Sequence, residues 1–386
     1  MRIIIFLLFL THALFSRSLE SLVESAMKND PKILLLKEKI RLANEDIKSS
    51  DIWENPVLTA GLKDILLDDP LSRDIEPMQT QFIGISQKIP LSDKFSVKKD
   101  IALKKRQIVD FLIENEKRKI SSQLSAFLYE KEILKKRLSL LHENRKNLYT
   151  IKRLLKGYRA DEDLLLDIDR LVLMTDLQNE TIENSVSVIK EKIKLRTLQS
   201  VEKTKISLKP KEINASLNPS HPMLEVYKKD IEIAKDKLSL FKAEKISDIK
   251  VGMVYNQRVA TGDYISLSFS MPLQIRDKEN IAIKKASYKL SYQKKKLLDL
   301  ENSFKNRIKV YEIMMKKSAL NYALYQKRLL PLQKKITRYL KAKNITGNLD
   351  LSRLVQSYNK IISLEQRALD ELNEHFGAYS KLRYYL

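Results

Sequence analysis

The 386-residue chain has no cysteine, only seven glycines and ten prolines, four histidines and a single tryptophan. Without cysteine it has no disulfide, no lipidation cysteine and no thiolate metal site. The histidines His12, His142, His221 and His375 are far apart, so a tight zinc or copper site within one chain is not indicated. Glycine-rich phosphate loops and paired acid–base or nucleophile groups are also missing, so neither a cofactor nor an enzymatic activity is expected. Acid is the scarcer charge, with 49 Asp and Glu against 72 Lys and Arg and a formal net charge of +23. These bases are spread through every helical stretch and interleaved with acids, which fits solvated helix faces better than a nucleic-acid surface.

One long apolar run is present, and it is short for a membrane span. "MRIIIFLLFLTHALFSRSLE" places Arg2 before an apolar run from Ile3 to Leu10, then Ser16-Arg17-Ser18 as a small-x-small cleavage site. Residues 1–18 therefore read as a secretory signal peptide, with the mature chain starting near Leu19.

The few prolines and glycines are placed informatively. Between Pro90 and Pro210 there is no proline and one glycine, Gly157, so that stretch accommodates two long helices with a break at Gly157. From Pro272 onward only Pro331 interrupts, with Gly347 at the second expected break. Pro31 matches Pro222 and Pro90 matches Pro272, at offsets of 191 and 182 residues, so the connecting loop near "LLDDPLSRDIEPM" is about nine residues longer than its counterpart. Each half reads helix, strand, loop, strand, long helix, break, shorter helix, a duplicated unit with a boundary near 209/210 (19–209 and 210–386).

Ile113, Ile120, Phe127, Leu134, Leu141, Leu148 and Leu155 recur every seven residues. The second half repeats this with Leu297, Phe304, Tyr311, Ser318, Tyr325, Leu332 and Tyr339, in which Ser318 alone is out of character. Such a seam predicts helices supercoiled against neighbours, and a helix from Ser92 to Lys156 would be roughly 100 Å long. Met314-Met315 reads as gap-filling core. Strands are expected at Val57–Leu62, Phe82–Ile89, Ile249–Tyr255 and Tyr264–Met271, each nearly alternating. Four short strands cannot form an independent core. They fit either a tilted membrane barrel, which uses strands of about nine residues, or two hairpins capping a soluble helical bundle.

The duplicated order of these segments resembles the TolC-like outer-membrane efflux family, most closely its CzcC-like heavy-metal branch. The resemblance is carried by "NDPKILLLKEKIRLANEDI" and its echo "SHPMLEVYKKDIEIA", by the joints "ISQKIPLSDK" and "LSFSMPLQIRDKENIAIKKA", and by the breaks "LLKGYRADEDLLLDIDRL" and "YLKAKNITGNLDLSRL". It implies an α+β, mainly α chain with long coiled-coil helices forming a periplasmic α-barrel. It also implies a homotrimer, each chain giving four strands to a twelve-stranded transmembrane β-barrel in outer-membrane lipid. The implied function is a duct subunit of a tripartite efflux pump exporting heavy-metal cations, docked to a periplasmic adaptor and an inner-membrane pump of the resistance-nodulation-division type. A multidrug or secretion duct and a soluble periplasmic coiled-coil scaffold are the alternatives. Pro90 and Pro272 would open the long helices at their first turn, where a missing N–H needs no partner. The shorter helices Leu19–Ile52 and Leu164–Leu198 together match the long one, as two helices stacked beside it would.

Carried over residue by residue, the adaptor-binding tips are Gly157, Tyr158, Arg159 and Ala160 at the first break and Ala342, Asn344, Ile345, Thr346 and Gly347 at the second. The family's tyrosine-x-x-glycine pattern is altered in both, with Leu154 preceding Gly157 and Tyr339 preceding Ala342. Gly157 is expected at positive φ, where a β-branched residue would be strained. Asp161, Glu162, Asp163, Asp167 and Asp169, with Asp350, either form carboxylate rings at a narrow aperture or serve as ordinary acidic caps of the following helices.

Overall fold

The computed structural model describes residues 19–69, 75, 77–157, 162–198, 206–213, 215–259, 261–345 and 351–386. In chain order these form α1 (Leu19–Asn29), α2 (Pro31–Ser49), β1 (Val57–Lys63), β2 (Thr80–Ile89), α3 (Lys94–Gly157), α4 (Glu162–Thr197), α5 (Pro222–Ala243), β3 (Ile249–Arg258), β4 (Tyr264–Ser270), α6 (Lys278–Leu324), a π turn (Tyr325–Leu329), α7 (Leu330–Ile345) and α8 (Leu351–Leu382). The signal segment lies outside the described residues.

The matched prolines Pro31 and Pro222 each open a helix at its first position, where φ is already helical and no N–H is missed. Pro31 also divides the expected helix Leu19–Ile52 in two. Asp30 stands between the pieces and caps α2, its Oδ1 accepting the Lys32 N–H at 2.9 Å. The other matched pair behaves differently from expectation. Pro90 immediately follows β2 and Pro272 lies two residues beyond β4, both ahead of the helices at Lys94 and Lys278. They end strands, because a residue without N–H cannot extend a ladder.

The chain divides into two compact units, each drawing on both halves of the sequence: residues 36–113 with 222–301, and residues 1–35 with 114–221 and 302–386. The first unit holds one antiparallel sheet in the order β1-β2-β3-β4. Residues 64–79 join β1 to β2, while only residues 259–263 join β3 to β4. Where strands meet helices, the buried carboxylate of Asp248, just ahead of β3, accepts an ion pair from Lys94 in the first turn of α3 and lies 3.6 Å from Lys88. Lys99 on α3 pairs with Asp51 at 2.7 Å.

The second unit is helical. Its seam on α3 is as expected, with Ile120, Leu141, Leu148 and Leu155 buried and Phe127 and Leu134 half-buried. The Tyr129 and Phe376 rings stack at 4.0 Å, joining α3 to α8. The seam on α6 holds through Phe304 and Ser318, both buried, the Ser318 hydroxyl donating to the Met314 carbonyl at 2.7 Å. Met315 is buried core, as expected. Beyond Ser318 the expected series fails, since Leu332 is 57% and Tyr339 61% exposed while Leu330 and Thr337 are buried. The cause is the π turn, in which the Leu330 N–H reaches the Tyr325 carbonyl five residues back. One inserted residue moves the stripe of Ile308 and Met315 onto Leu330 and Thr337, one place later than a seven-residue repeat dictates. Pro331 explains its position: it cannot donate to the Lys327 carbonyl, and the helix accommodates the lost bond by widening the turn before it.

Two histidines are buried in this unit. His375 Nε2 accepts the Lys211 backbone N–H at 2.9 Å and its Nδ1 lies 3.0 Å from the Met315 carbonyl, which fixes the proton on Nδ1. His221 Nε2 lies 2.9 Å from the Tyr384 carbonyl, within a ring of Phe304, Tyr384 and Tyr385. The charged groups nearby are Lys211, above the Tyr129 and Tyr379 rings, and Arg118 on α3. Burial pushes both imidazoles below the ordinary value of 6.5. The unfolded chain therefore binds protons first on acidification; this stability is present above about pH 6.5 and is lost as pH falls through the lowered values. The thermal midpoint by circular dichroism is expected to drop between about pH 7.5 and about pH 5.5, less so in His375→Gln. A flat midpoint in the parent would show that the imidazoles are not held neutral.

Candidate functional site

The sheet has two chemically opposite faces, and the strand register defines both. Leu58, Ile85, Met253 and Leu267 align across all four strands, as do Ala60, Ile83, Tyr255 and Ile265 in the next row toward the loops. Val251 and Phe269 continue the face toward the helices. These side chains are apolar or aromatic, and most of the large ones are strongly exposed, Leu267 at 68% and Phe269 at 74%. An exposed apolar patch of this extent marks an interaction surface. Trp53, the sole tryptophan, is exposed beside Ile52 just before β1, with Leu273 and Ile275 exposed just after β4.

The opposite face carries Val57, Thr59, Gly61 and Lys63 on β1, Thr80, Phe82, Gly84, Ser86 and Lys88 on β2, Lys250, Gly252, Val254, Asn256 and Arg258 on β3, and Tyr264, Ser266, Ser268 and Ser270 on β4, mostly small or polar side chains. Its small residues are enforced by crowding. A Cβ on Gly84 would lie 2.7 Å from Val254 Cγ2, and one on Gly252 would lie 2.6 Å from Ser268 Oγ. Crowding on one face of a twisted sheet identifies the concave side, which glycine lets curl. The sheet therefore bends with its polar face inward and its apolar face outward.

The helix breaks form the second candidate region. Leu148, Ile151 and Leu155 at the end of α3, Ile168 and Val172 at the start of α4, and Val355 at the start of α8 share one core, with Leu164 and Tyr358 packed against it. The helices flanking both breaks thus meet at one end of the helical unit. Gly157 is the last residue of α3, and Ala342, Asn344 and Ile345 lie in the last turn of α7. Tyr158, Arg159, Ala160, Asp161, Thr346, Gly347 and Asp350 fall outside the described residues. Gly157 departs from expectation: its φ is not positive, and among the described residues a Cβ there meets nothing within 4 Å. The helix ends there without left-handed geometry, so valine at 157 is not strained.

The acids of the first break are spread along α4. Asp163 Oδ1 accepts the Leu164 N–H at 2.8 Å, and Glu162 and Asp163 occupy the first turn, where carboxylates complement the helix dipole. Asp167 pairs with Arg170 at 3.2 Å, and Asp169 pairs with Lys152 across to α3. Among the described residues no group of three or more His, Asp or Glu could hold a metal ion, and no helix is long and apolar enough to cross a membrane.

This architecture, two hairpins in one antiparallel sheet with long paired helices, is shared with solved outer-membrane channels. No family model and no curated protein matches the chain. Among solved structures, CusC, studied for folding and transmembrane channel formation, matches with a TM-score of 0.76 at 9% identity, over 94% of this chain and 91% of that one. The outer membrane protein VceC of Vibrio cholerae matches at 0.77 with 10% identity, over 94% of each chain. The MtrE outer membrane channel of Neisseria gonorrhoeae, in its open state, matches at 0.76 with 10% identity, over 95% of this chain and 88% of that one. At these identities the likeness is one of fold, and it is the fold the TolC-like resemblance implies.

The sequence reading missed the second face of the sheet. The signal was present in every alternate strand position: the apolar members of "YISLSFSM" drew attention while the serines between them carried equal information.

Proposed function

We propose that the chain is a non-enzymatic outer-membrane duct subunit of a tripartite efflux system, closing its sheet with copies of itself. The single observation that supports this most directly is the exposed apolar face of a sheet whose polar face is concave. In water that surface would be an aggregation liability; around a barrel it is a lipid-facing band. β2 and β3, at ten residues each, match the length a tilted membrane strand requires. The free edges of β1 and β4 would be consumed by pairing with neighbouring copies, and exposed Trp53 suits the headgroup level. A homotrimer, the stoichiometry implied by the resemblance, makes this a twelve-stranded barrel. We further propose the two repeats, 19–209 and 210–386, as the evolutionary units, the helix breaks as the adaptor-facing tips, and Asp163 as the described carboxylate most available to an aperture.

Export of heavy-metal cations is the cargo that the resemblance implies, and an inner-membrane pump would select it. The test is fractionation followed by planar-bilayer recording of the purified chain. Recovery in the outer-membrane fraction with discrete conductance steps is expected; recovery as a soluble monomer with no pore would overturn the duct in favour of a periplasmic scaffold.

A further inference from the structure

Residues 206–213 and 215–221 carry the chain from α4 toward α5 without helix or strand, as a strap on the helical unit. Two of its backbone N–H groups are held by titratable side chains. The Lys211 N–H donates to Nε2 of buried His375 on α8 at 2.9 Å, and the Ala215 N–H donates to Glu312 Oε1 on α6 at 2.9 Å. Further along, the Asn218 amide donates to the Leu386 carbonyl at 3.0 Å, and His221 Nε2 donates to the Tyr384 carbonyl at 2.9 Å. The two histidines therefore play opposite parts. His221 gives a hydrogen to its partner, a bond that a second ring proton leaves in place, whereas His375 receives one from the strap.

His375 has no spare lone pair. Its Nδ1–H is committed to the Met315 carbonyl at 3.0 Å, so a proton taken up from acid goes to Nε2, where it faces the Lys211 N–H. Donor then opposes donor at a buried contact, and the bond between ring and backbone is lost. The charged groups around the ring do not relieve this. The strap brings the Lys211 ammonium, which lies over the Tyr129 and Tyr379 rings, and α3 brings fully buried Lys131 into the same unit. On α6, Glu312 is engaged by the strap, and exposed Lys316 follows Met315. On α8 itself Glu371 accepts from Asn321 at 3.0 Å, and Glu374 lies 3.5 Å from Lys317. Both ring nitrogens of His375 thus meet backbone groups, and neither meets a carboxylate that would welcome the charge.

We propose that His375 makes the strap an acid-released latch, holding Lys211 and its neighbours on the helical unit while the ring is neutral and letting them go when Nε2 takes a proton. One proton is bound and one hydrogen bond is lost. Once released, the ring regains the ordinary imidazole value near 6.5, whereas the latched ring resists protonation. Acid therefore favours release: between about pH 7.5 and about pH 5.5 the ratio of free to latched strap rises by up to about tenfold. Release frees the covalent passage from α4 to α5 while exposing little of the apolar core, so it is a local opening of the unit.

The test is hydrogen exchange of the full chain in detergent, read by mass spectrometry on the peptide that contains the Lys211 amide. Rates at about pH 7.5 and about pH 5.5 are normalised to the same peptide unfolded. Protection in the parent is expected to fall by up to about tenfold on acidification. Low urea should leave that fall unchanged, because release exposes little surface. His375→Gln offers an amide oxygen to Lys211 and an amide N–H to Met315 without titrating, and is expected to protect the strap equally at both pH values. Glu312→Gln keeps an acceptor for the Ala215 N–H and is expected to retain the parent's fall. A parent without the fall, an equal fall in His375→Gln, loss of the fall in Glu312→Gln, or a parental fall that steepens with urea would each overturn the latch. Because exchange is read whether or not the chain conducts, the duct reading stands or falls separately.

Discussion

Leu267→Arg is expected to remove the protein from the outer-membrane fraction and to abolish any heat-stable oligomer in gel electrophoresis. Leu267 lies in the apolar row with Leu58, Ile85 and Met253 and is strongly exposed. A guanidinium on the lipid face of a barrel costs about 2–4 kcal/mol near the bilayer midplane, and symmetry repeats that cost in every copy. The comparison is Thr59→Arg, one strand position away from Leu58 but on the concave polar face, which is expected to insert and assemble. Opposite outcomes for two arginines in neighbouring rows test the assignment of the faces directly. If both variants assemble, or both fail, the apolar face is not what meets lipid.

The second large effect is expected at the junction of α1, α2 and α4. Asp30 is fully buried, accepts the Arg196 guanidinium at 2.7 Å and caps α2 through the Lys32 N–H. Beside it the Ser25 hydroxyl donates to the Thr197 carbonyl at 2.8 Å, fastening α1 to the end of α4. Arg196→Met leaves a buried carboxylate without its counter-ion and is expected to cost about 3–5 kcal/mol. Adding Asp30→Asn removes the stranded charge while keeping a capping side chain, so the double variant should recover most of the loss. Denaturant unfolding of the single and double variants checks this; equal stability of the two would show that the carboxylate is not the source of the damage.

Element type was legible wherever period was strong. The seven-residue seam from Ile120 to Leu155 was readable because each member packs inward on an uninterrupted helix, and the alternation of Ile265, Leu267 and Phe269 exposed β4 directly. The second seam was readable only as far as Ser318. A single residue inserted by the π turn displaces everything beyond it, and a sequence carries no mark of that insertion other than Pro331. The prolines marked the joints correctly, but the chemistry at Pro90 and Pro272 belongs to the strand that stops there. Gly157 marked a helix end without any special backbone angle. The row of Lys63, Thr80 and Arg258 was hidden because Lys63 and Arg258 lie almost two hundred positions apart and share a row only through the register of β2 on β3.

That same β2–β3 pairing sets an order of events during synthesis. The hairpins β1–β2 and β3–β4 close locally, whereas Ile89 must find Ile249 across a helical excursion that occupies the sequence between them. Closing so long a loop adds only slowly growing entropy, but it is the step with the largest sequence separation in the sheet and hence the slow one. Until it happens, the emerging chain carries a hairpin whose β2 edge is free and whose outer face is greasy, the combination most prone to pairing with the wrong strand. On the proposed reading as an outer-membrane duct, that hairpin would need shielding for at least as long as the second half of the chain takes to appear.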